Sequence, residues 1–123
     1  MEKILVTGGA GYIGSHLVLM LSQLGYDVIT YDDLSSGSAE AVLGGRLIIG
    51  NLADTEKLEQ LFAQELFDAV IHLAAVSQVH QSMSMPDLYY NINVIGSINL
   101  LDCVKTYKIK SFIFSSNEKN RRI

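Results

Sequence analysis

Ile4-Leu5-Val6-Thr7-Gly8-Gly9-Ala10-Gly11-Tyr12-Ile13-Gly14 is an apolar run that passes straight into a glycine-rich turn. Gly8, Gly11 and Gly14 are spaced three apart, and a helical pattern starts at Tyr12 and continues through Leu17, Leu21 and Leu24. The pattern predicts a buried strand, a tight turn and a helix N-terminus. Such a helix end presents unpaired N–H groups and about half a positive charge. Glycine lets the backbone approach an anion with no Cβ in the way. The stretch is expected to cradle a pyrophosphate. An ordinary strand–turn–helix has the same local pattern, so the decision rests on what surrounds it.

Outward from this turn, strand-like and helix-like segments alternate. Lys3–Thr7 is predicted as β1 and Tyr12–Leu24 as α1, with Gly25 where a helix-ending glycine belongs. Asp27–Tyr31 is β2, Leu34–Gly45 a loop with a short helical turn, and Arg46–Ile49 β3. Asp54 is the expected N-cap of α2, whose apolar face is Leu58, Leu61 and Phe62. Asp68–Leu73 is β4 and Ser111–Ser115 is β5. Between them runs a long helix, α3, about Leu88 to Tyr107, with Pro86 near its start and Ile95, Ile98, Leu101 and Val104 at helical spacing. The strand cores are continuous apolar runs, as in a parallel sheet covered on both faces. Right-handed crossovers then give an α/β, Rossmann-type doubly wound sheet of about five strands in the order 3-2-1-4-5.

The turn therefore has a strand before it, a helix after it, and an acidic residue, Asp32, at the end of the next strand, 18 residues past Gly14. A carboxylate there accepts hydrogen bonds from both ribose hydroxyls of an adenosine and repels a 2′-phosphate, which favours NAD over NADP. After Asp32, no Arg or Lys follows until Arg46. No Gly-Lys-Ser/Thr triplet of a triphosphate-binding loop is present.

Composition narrows the rest. The 123 residues are 49% hydrophobic and 18% charged, which suits one globular domain. A net charge of −4 without a basic run argues against nucleic-acid or membrane-surface binding, and Arg121-Arg122 is too short to change this. No stretch approaches the ~18 apolar residues of a membrane span, and no signal peptide is read at the start. The single Cys103 is expected as core filler in a reducing, cytoplasmic setting. His72 is read as a structural residue at the end of a buried strand. Neither it nor the loop residue His80 has partners at metal-ligand spacing, so no metal site is expected.

Thr7-Gly8-Gly9-Ala10-Gly11-Tyr12-Ile13-Gly14 together with Tyr31-Asp32-Asp33-Leu34-Ser35-Ser36-Gly37 resembles the extended short-chain dehydrogenase/reductases. Within these the chain is most similar to the UDP-glucose 4-epimerases of the NAD-dependent epimerase/dehydratase family. His72-Leu73-Ala74-Ala75, Gln78-Val79, Ser82, Pro86, Tyr89-Tyr90, Asn93-Val94, Gly96, Asn99-Leu100-Leu101-Asp102 and Phe112-Ile113-Phe114-Ser115-Ser116 continue the likeness. The resemblance implies that Gly8, Gly11, Tyr12, Ile13 and Gly14 hold the pyrophosphate of NAD. Asp32 and Asp33 would hold the adenosine ribose, with Ser36 and Gly37 nearby. Asn51 and Leu52 would flank the adenine, and the family usually has Asp where Asn51 stands. Leu73, Ala74 and Ala75 would line the floor under the nicotinamide half, and Asn93 and Ser115 complete the expected cofactor set. Ser77 stands where many of these enzymes carry a Lys or an apolar contact.

The resemblance also implies interconversion of UDP-glucose and UDP-galactose through a 4-keto sugar, with a Tyr phenolate lowered in pKa by a Lys four residues on. That pair is missing. The tyrosines are 12, 26, 31, 89, 90 and 107, and the residues four further on are His16, Thr30, Ser35, Asn93, Val94 and Ser111. Residues 1–116 are therefore expected to form an incomplete NAD-binding domain, followed by an unrelated tail, 117–123, with the substrate domain absent. No catalytic residue is assigned, and the chain is not expected to catalyse alone. A non-catalytic dinucleotide-binding module, or part of a related sugar-nucleotide 4,6-dehydratase, are the alternatives. A UDP-sugar is expected as partner only if the missing half is supplied. The apolar Phe112-Ile113-Phe114 strand, left as a sheet edge, is expected to pair with other copies of the chain in a homo-oligomer.

Overall fold

A computed structural model of the chain describes residues 2–34, 37–74 and 86–116, with residues 74, 86–94, 115 and 116 described by their backbone. Five parallel strands form one sheet in the order β3-β2-β1-β4-β5. They are β1 Lys3–Thr7, β2 Asp27–Asp32, β3 Arg46–Ile49, β4 Ala69–Ala74 and β5 Ser111–Ser116. Among the described residues the helices are α1 Tyr12–Gln23, α2 Thr55–Gln64 and α3 Pro86–Thr106, with one 3-10 turn at Ala39–Ala41. This is the doubly wound order expected from the alternating pattern, with strand and helix ends displaced by one or two residues.

Successive side chains of a strand face opposite sides of the sheet, and here both sides are covered. Ile4, Val6 and Val28 pack with Val18 of α1 on one face. Leu5, Ile29, Tyr31 and Val70 pack with Leu58, Leu61 and Phe62 of α2 and Leu100 and Cys103 of α3 on the other. That two-sided burial is why the strands read as unbroken apolar runs. The Asp54 carboxylate accepts the Lys57 N–H at 3.3 Å and caps α2 as expected. Cys103 is buried, and burial pushes its thiol up to about 11, in keeping with a packing role.

The two edges at which the strands begin and end differ in chemistry. Where the strands begin, Glu65 takes both terminal nitrogens of Arg46, at 3.2 and 3.0 Å, and Lys3 Nζ at 2.8 Å. Asp27 lies 3.9 Å from Lys3 and 4.0 Å from Arg46. The hydrogen bonds from Arg46 and Lys3 hold the Glu65 carboxyl down to about 2. This network ties the starts of β1, β2 and β3 to the end of α2. Where the strands end, the chain instead presents the glycine turn, Asp32 and Asn51.

Candidate functional site

β1 ends at Thr7, and the Gly8 N–H still donates to Tyr31 O at 3.1 Å, so the turn begins inside the sheet. Gly8 then takes φ +81°, and a Cβ there would sit 2.9 Å from Leu73 O. Only glycine fits both the left-handed backbone and the contact with β4. The turn closes with Gly11 N–H on Gly8 O at 3.4 Å. Gly14, one turn into α1, lies flush on the Gly8 carbonyl and Gly9 Cα, with no room for a Cβ. The helix therefore starts against the strand end.

Gly11 is the N-cap of α1 and offers no side chain to the first turn. The first helical hydrogen bond runs from Ser15 N–H to Gly11 O at 2.8 Å. The N–H groups of Tyr12, Ile13 and Gly14 thus precede the helix ladder and face the strand-end edge. No acidic residue lies in that turn, so the positive end of the helix dipole is left for an anion. Tyr12 is 81% exposed and its ring meets His16 edge-on at 4.8 Å, leaving the cradle open.

Asp32, half-buried at the end of β2, reaches the same turn. Its Oδ2 accepts the Ala10 N–H at 2.9 Å and its Oδ1 the Leu34 N–H at 2.8 Å. Each carboxylate oxygen accepts two hydrogen bonds, so capacity remains for a diol. Asp33 is exposed beside it. The loop after β2 folds back over the turn, with Ser38 N–H on Ala10 O at 3.4 Å and Gly37 against Ala10 and Gly11.

One strand further out, Gly50 N–H donates to the main-chain Asp32 O at 3.1 Å, which places the end of β3 beside the end of β2. Asn51 follows, exposed. Its Oδ1 accepts the Ala53 N–H at 2.8 Å and its main-chain carbonyl accepts the Tyr31 hydroxyl at 2.9 Å. Burial, with Asp54 and Asp33 nearby, pushes the Tyr31 phenol up to about 12, so it stays a donor. Leu52 packs into the core against Gly96 of α3, and its carbonyl accepts Asn99 Nδ2 at 2.9 Å. Its side chain thus serves the core, and its position serves the β3 end.

On the other side of β1, Leu73 lies against Gly8, and Ala74 ends β4. Ser115 is in register with Leu73 on β5, and Asn93 lies in α3. Ser36, Ala75, Ser77, His80 and residues 117–123 lie outside the described residues. The strand order thus brings Gly8–Gly14, Asp32, Asp33, Gly37, Asn51, Leu73, Ala74 and Ser115 to one edge.

Two features escape a reading by spacing. Lys57 of α2 donates from Nζ to Ile49 O at 2.5 Å, bringing a cation to the end of β3. His72 is 6% exposed, with Nδ1 2.6 Å from Thr7 Oγ1 and Nε2 3.2 Å from Ser97 Oγ. It ties β1, β4 and α3 together just behind the turn, and burial lowers its pKa to about 4. That agrees with a structural role. Among the described residues no His/Cys/Asp/Glu group could hold a metal ion, and no helix is long and apolar enough to cross a membrane.

Residues 4–119 match the profile of the NAD dependent epimerase/dehydratase family. Among curated proteins, the UDP-glucose 4-epimerase of Schizosaccharomyces pombe is 43% identical over 93% of this chain and 34% of its own length. That of Rhizobium meliloti is 42% identical over 94% of this chain and 35% of its own. Among solved structures, the Thermotoga maritima UDP-glucose 4-epimerase with UDP-glucose superposes with a TM-score of 0.87 at 43% identity, covering 93% of this chain and 37% of that one. The Brucella ovis UDP-glucose 4-epimerase in complex with NAD gives 0.85 at 39% identity, covering 94% and 36%. The chain spans about a third of the length of the curated relatives it matches. With the profile running from β1 to β5, the chain belongs to the NAD dependent epimerase/dehydratase family.

Proposed function

We propose that the chain is the NAD-holding part of a UDP-glucose 4-epimerase, interconverting UDP-glucose and UDP-galactose through a 4-keto sugar. The observation that carries this is the junction of Asp32 with the glycine turn: a carboxylate bonded to Ala10 N–H, beside a helix N-terminus whose first N–H groups are free of intrahelical partners. An anionic diphosphate flanked by a ribose diol fits that pair of sites. The relatives named as UDP-glucose 4-epimerases, one of them in complex with NAD, support the same reading.

When bound, NAD supplies a reversible hydride acceptor. The chain's own residues supply position. Tyr12, Ile13 and Gly14 would hold the pyrophosphate by backbone N–H groups, Asp32 the ribose, and the β3 end the base. Leu73 and Ala74 would lie under the nicotinamide half. No tyrosine precedes a lysine by four residues, so the part played here is holding the cofactor, and a binding module without catalysis is the second reading. A cytoplasmic setting is supported by the single buried thiol. Self-association through the β5 edge completes the proposal.

Calorimetric titration of the chain with NAD and with NADP tests the site, followed by a UDP-galactose turnover assay. Binding of NAD with NADP weaker by about tenfold or more is expected, because Asp32 meets a 2′-phosphate with like charge. Tighter binding of NADP overturns the ribose assignment. Binding of NAD without turnover is the result that favours the binding module.

A further inference from the structure

The side chain at the end of β3 has its polarity fixed by the turn it closes. The Ala53 N–H can donate only to an acceptor, so the amide of Asn51 must turn its oxygen toward Ala53, as the 2.8 Å contact shows. The oxygen is then engaged locally. What remains at this exposed residue is the Nδ2 amino group with its two donors, beside one unused lone pair on Oδ1, and no partner for Nδ2 occurs among the described residues. Gly50 bonded to Asp32 O and Tyr31 bonded to Asn51 O hold the Asn51 backbone beside the end of β2, one strand further from the pyrophosphate cradle. A dinucleotide laid across the strand ends, phosphates on α1 and ribose on Asp32, brings its purine to this place.

Resting on that NAD reading, we infer that Asn51 makes the base site tolerant of a 6-oxopurine. The amino group of Asn51 gives nothing to the 6-amino group of adenine, which is itself a donor and is left to the remaining lone pair of Oδ1. The 6-oxo group of hypoxanthine is an acceptor and meets Nδ2 directly. An aspartate in the same turn would still accept the Ala53 N–H with one oxygen, but would present an acceptor with the other. It would take the 6-amino group and repel a 6-oxo group. One side-chain atom, nitrogen or oxygen, thus sets the base preference. Sites that hydrogen-bond a ligand group discriminate strongly against the group of opposite polarity.

The experiment is a four-way titration by calorimetry: the chain and its Asn51→Asp variant, each with NAD and with nicotinamide hypoxanthine dinucleotide. With Asn51, the hypoxanthine form is expected to bind within about threefold of NAD or tighter. Asn51→Asp is expected to shift the preference toward NAD by about tenfold, the size of one exchanged hydrogen bond to a charged group. An unchanged preference in the variant, with NAD still bound, overturns the inference and leaves the cofactor reading standing. Failure of the folded chain, its thermal transition intact, to bind either dinucleotide overturns both. Thermal unfolding of the variant verifies that the Ala53 turn survives, and Asn51→Ser, which keeps an acceptor for Ala53 but presents no amide donor, is expected to lose the advantage of the hypoxanthine form.

Discussion

At Asp32 one carboxylate oxygen takes the Ala10 N–H and the other the Leu34 N–H, so the group expected to bind a ribose also pins the glycine turn to β2. Its place at the end of β2 is legible from spacing and strand order. Its hold on Ala10 is not, because that contact joins residues 22 apart and exists only once β1 and β2 pair. His72 shows the same limit more sharply: its partners Thr7 and Ser97 lie 65 and 25 residues away. Its burial has a measurable consequence. An ordinary histidine titrates at 6.5, and His72 is held down to about 4 because the charged form is desolvated. Between those two values the unfolded chain takes up a proton that the folded chain refuses, so stability rises with pH there and falls on acidification. The loss is expected at up to about 1.4 kcal/mol per pH unit, on the order of 3 kcal/mol in all. Glu65, held down to about 2 from 4.5, adds its own loss only in the more acid range. Urea unfolding at a series of pH values from 7 downward checks this: His72→Gln should flatten the slope between pH 6.5 and 4.5. An unchanged slope would assign the acid sensitivity to other groups.

Among the elements, α1 and α3 end in the same way but with different residues. After α1, Gly25 N–H bonds to Ser22 O and Tyr26 N–H to Leu21 O, with Gly25 at φ +96°. After α3, Lys108 N–H bonds to Lys105 O and Ile109 N–H to Val104 O, with Lys108 at φ +54°. Both are left-handed terminations in which the last carbonyls are satisfied by the turn. The first is legible because glycine marks it. The second is not, because a lysine there follows from what the chain must do after the helix, which is to bring Ile109 back against the core. Its Cβ is strained in that backbone. Lys108→Gly is therefore expected to stabilise the fold by about 0.5–1 kcal/mol, read as a higher urea midpoint with unchanged slope. A lower midpoint would mean that the lysine side chain contributes more than its backbone costs. Helix α3 also shows where periodicity fails. Ile95, Ile98, Leu101 and Val104 read as one face, yet Leu100 and Cys103 are buried while Ile95, Ile98 and Leu101 are 48%, 52% and 49% exposed. Apolar residues run nearly all the way round this helix, and spacing alone cannot choose between two apolar faces.

For the whole molecule, that second face of α3 and the last strand both leave apolar side chains exposed among the described residues. β5 pairs with β4 alone among the described residues, and Ile113 and Phe114 are 52% and 57% exposed. They point to opposite faces of the sheet, so among the described residues each face of the edge is about half open at its centre. No lysine, proline or bulge blunts β5, the devices by which edge strands usually avoid one another. The opposite edge, β3, is four residues long and begins at Arg46 in the ion network. Both open features, an unblunted strand and an apolar stripe on α3, act in the same direction, because burying one large apolar side chain is worth about 1.5–3 kcal/mol. Association through β5 itself is the proposal, since main-chain groups on an open edge are unsatisfied except by water or another strand. Sedimentation velocity of the chain at micromolar concentration should therefore show a dimer or larger species. Ile113→Lys, which puts a charge on the edge without touching the core, should raise the dissociation constant by about tenfold or more. Ile98→Glu, on the exposed stripe of α3, separates the two surfaces: a weaker effect than Ile113→Lys favours strand pairing, and a stronger one moves the interface to the helix. A wild-type chain that stays monomeric at micromolar concentration would remove the edge from the account altogether.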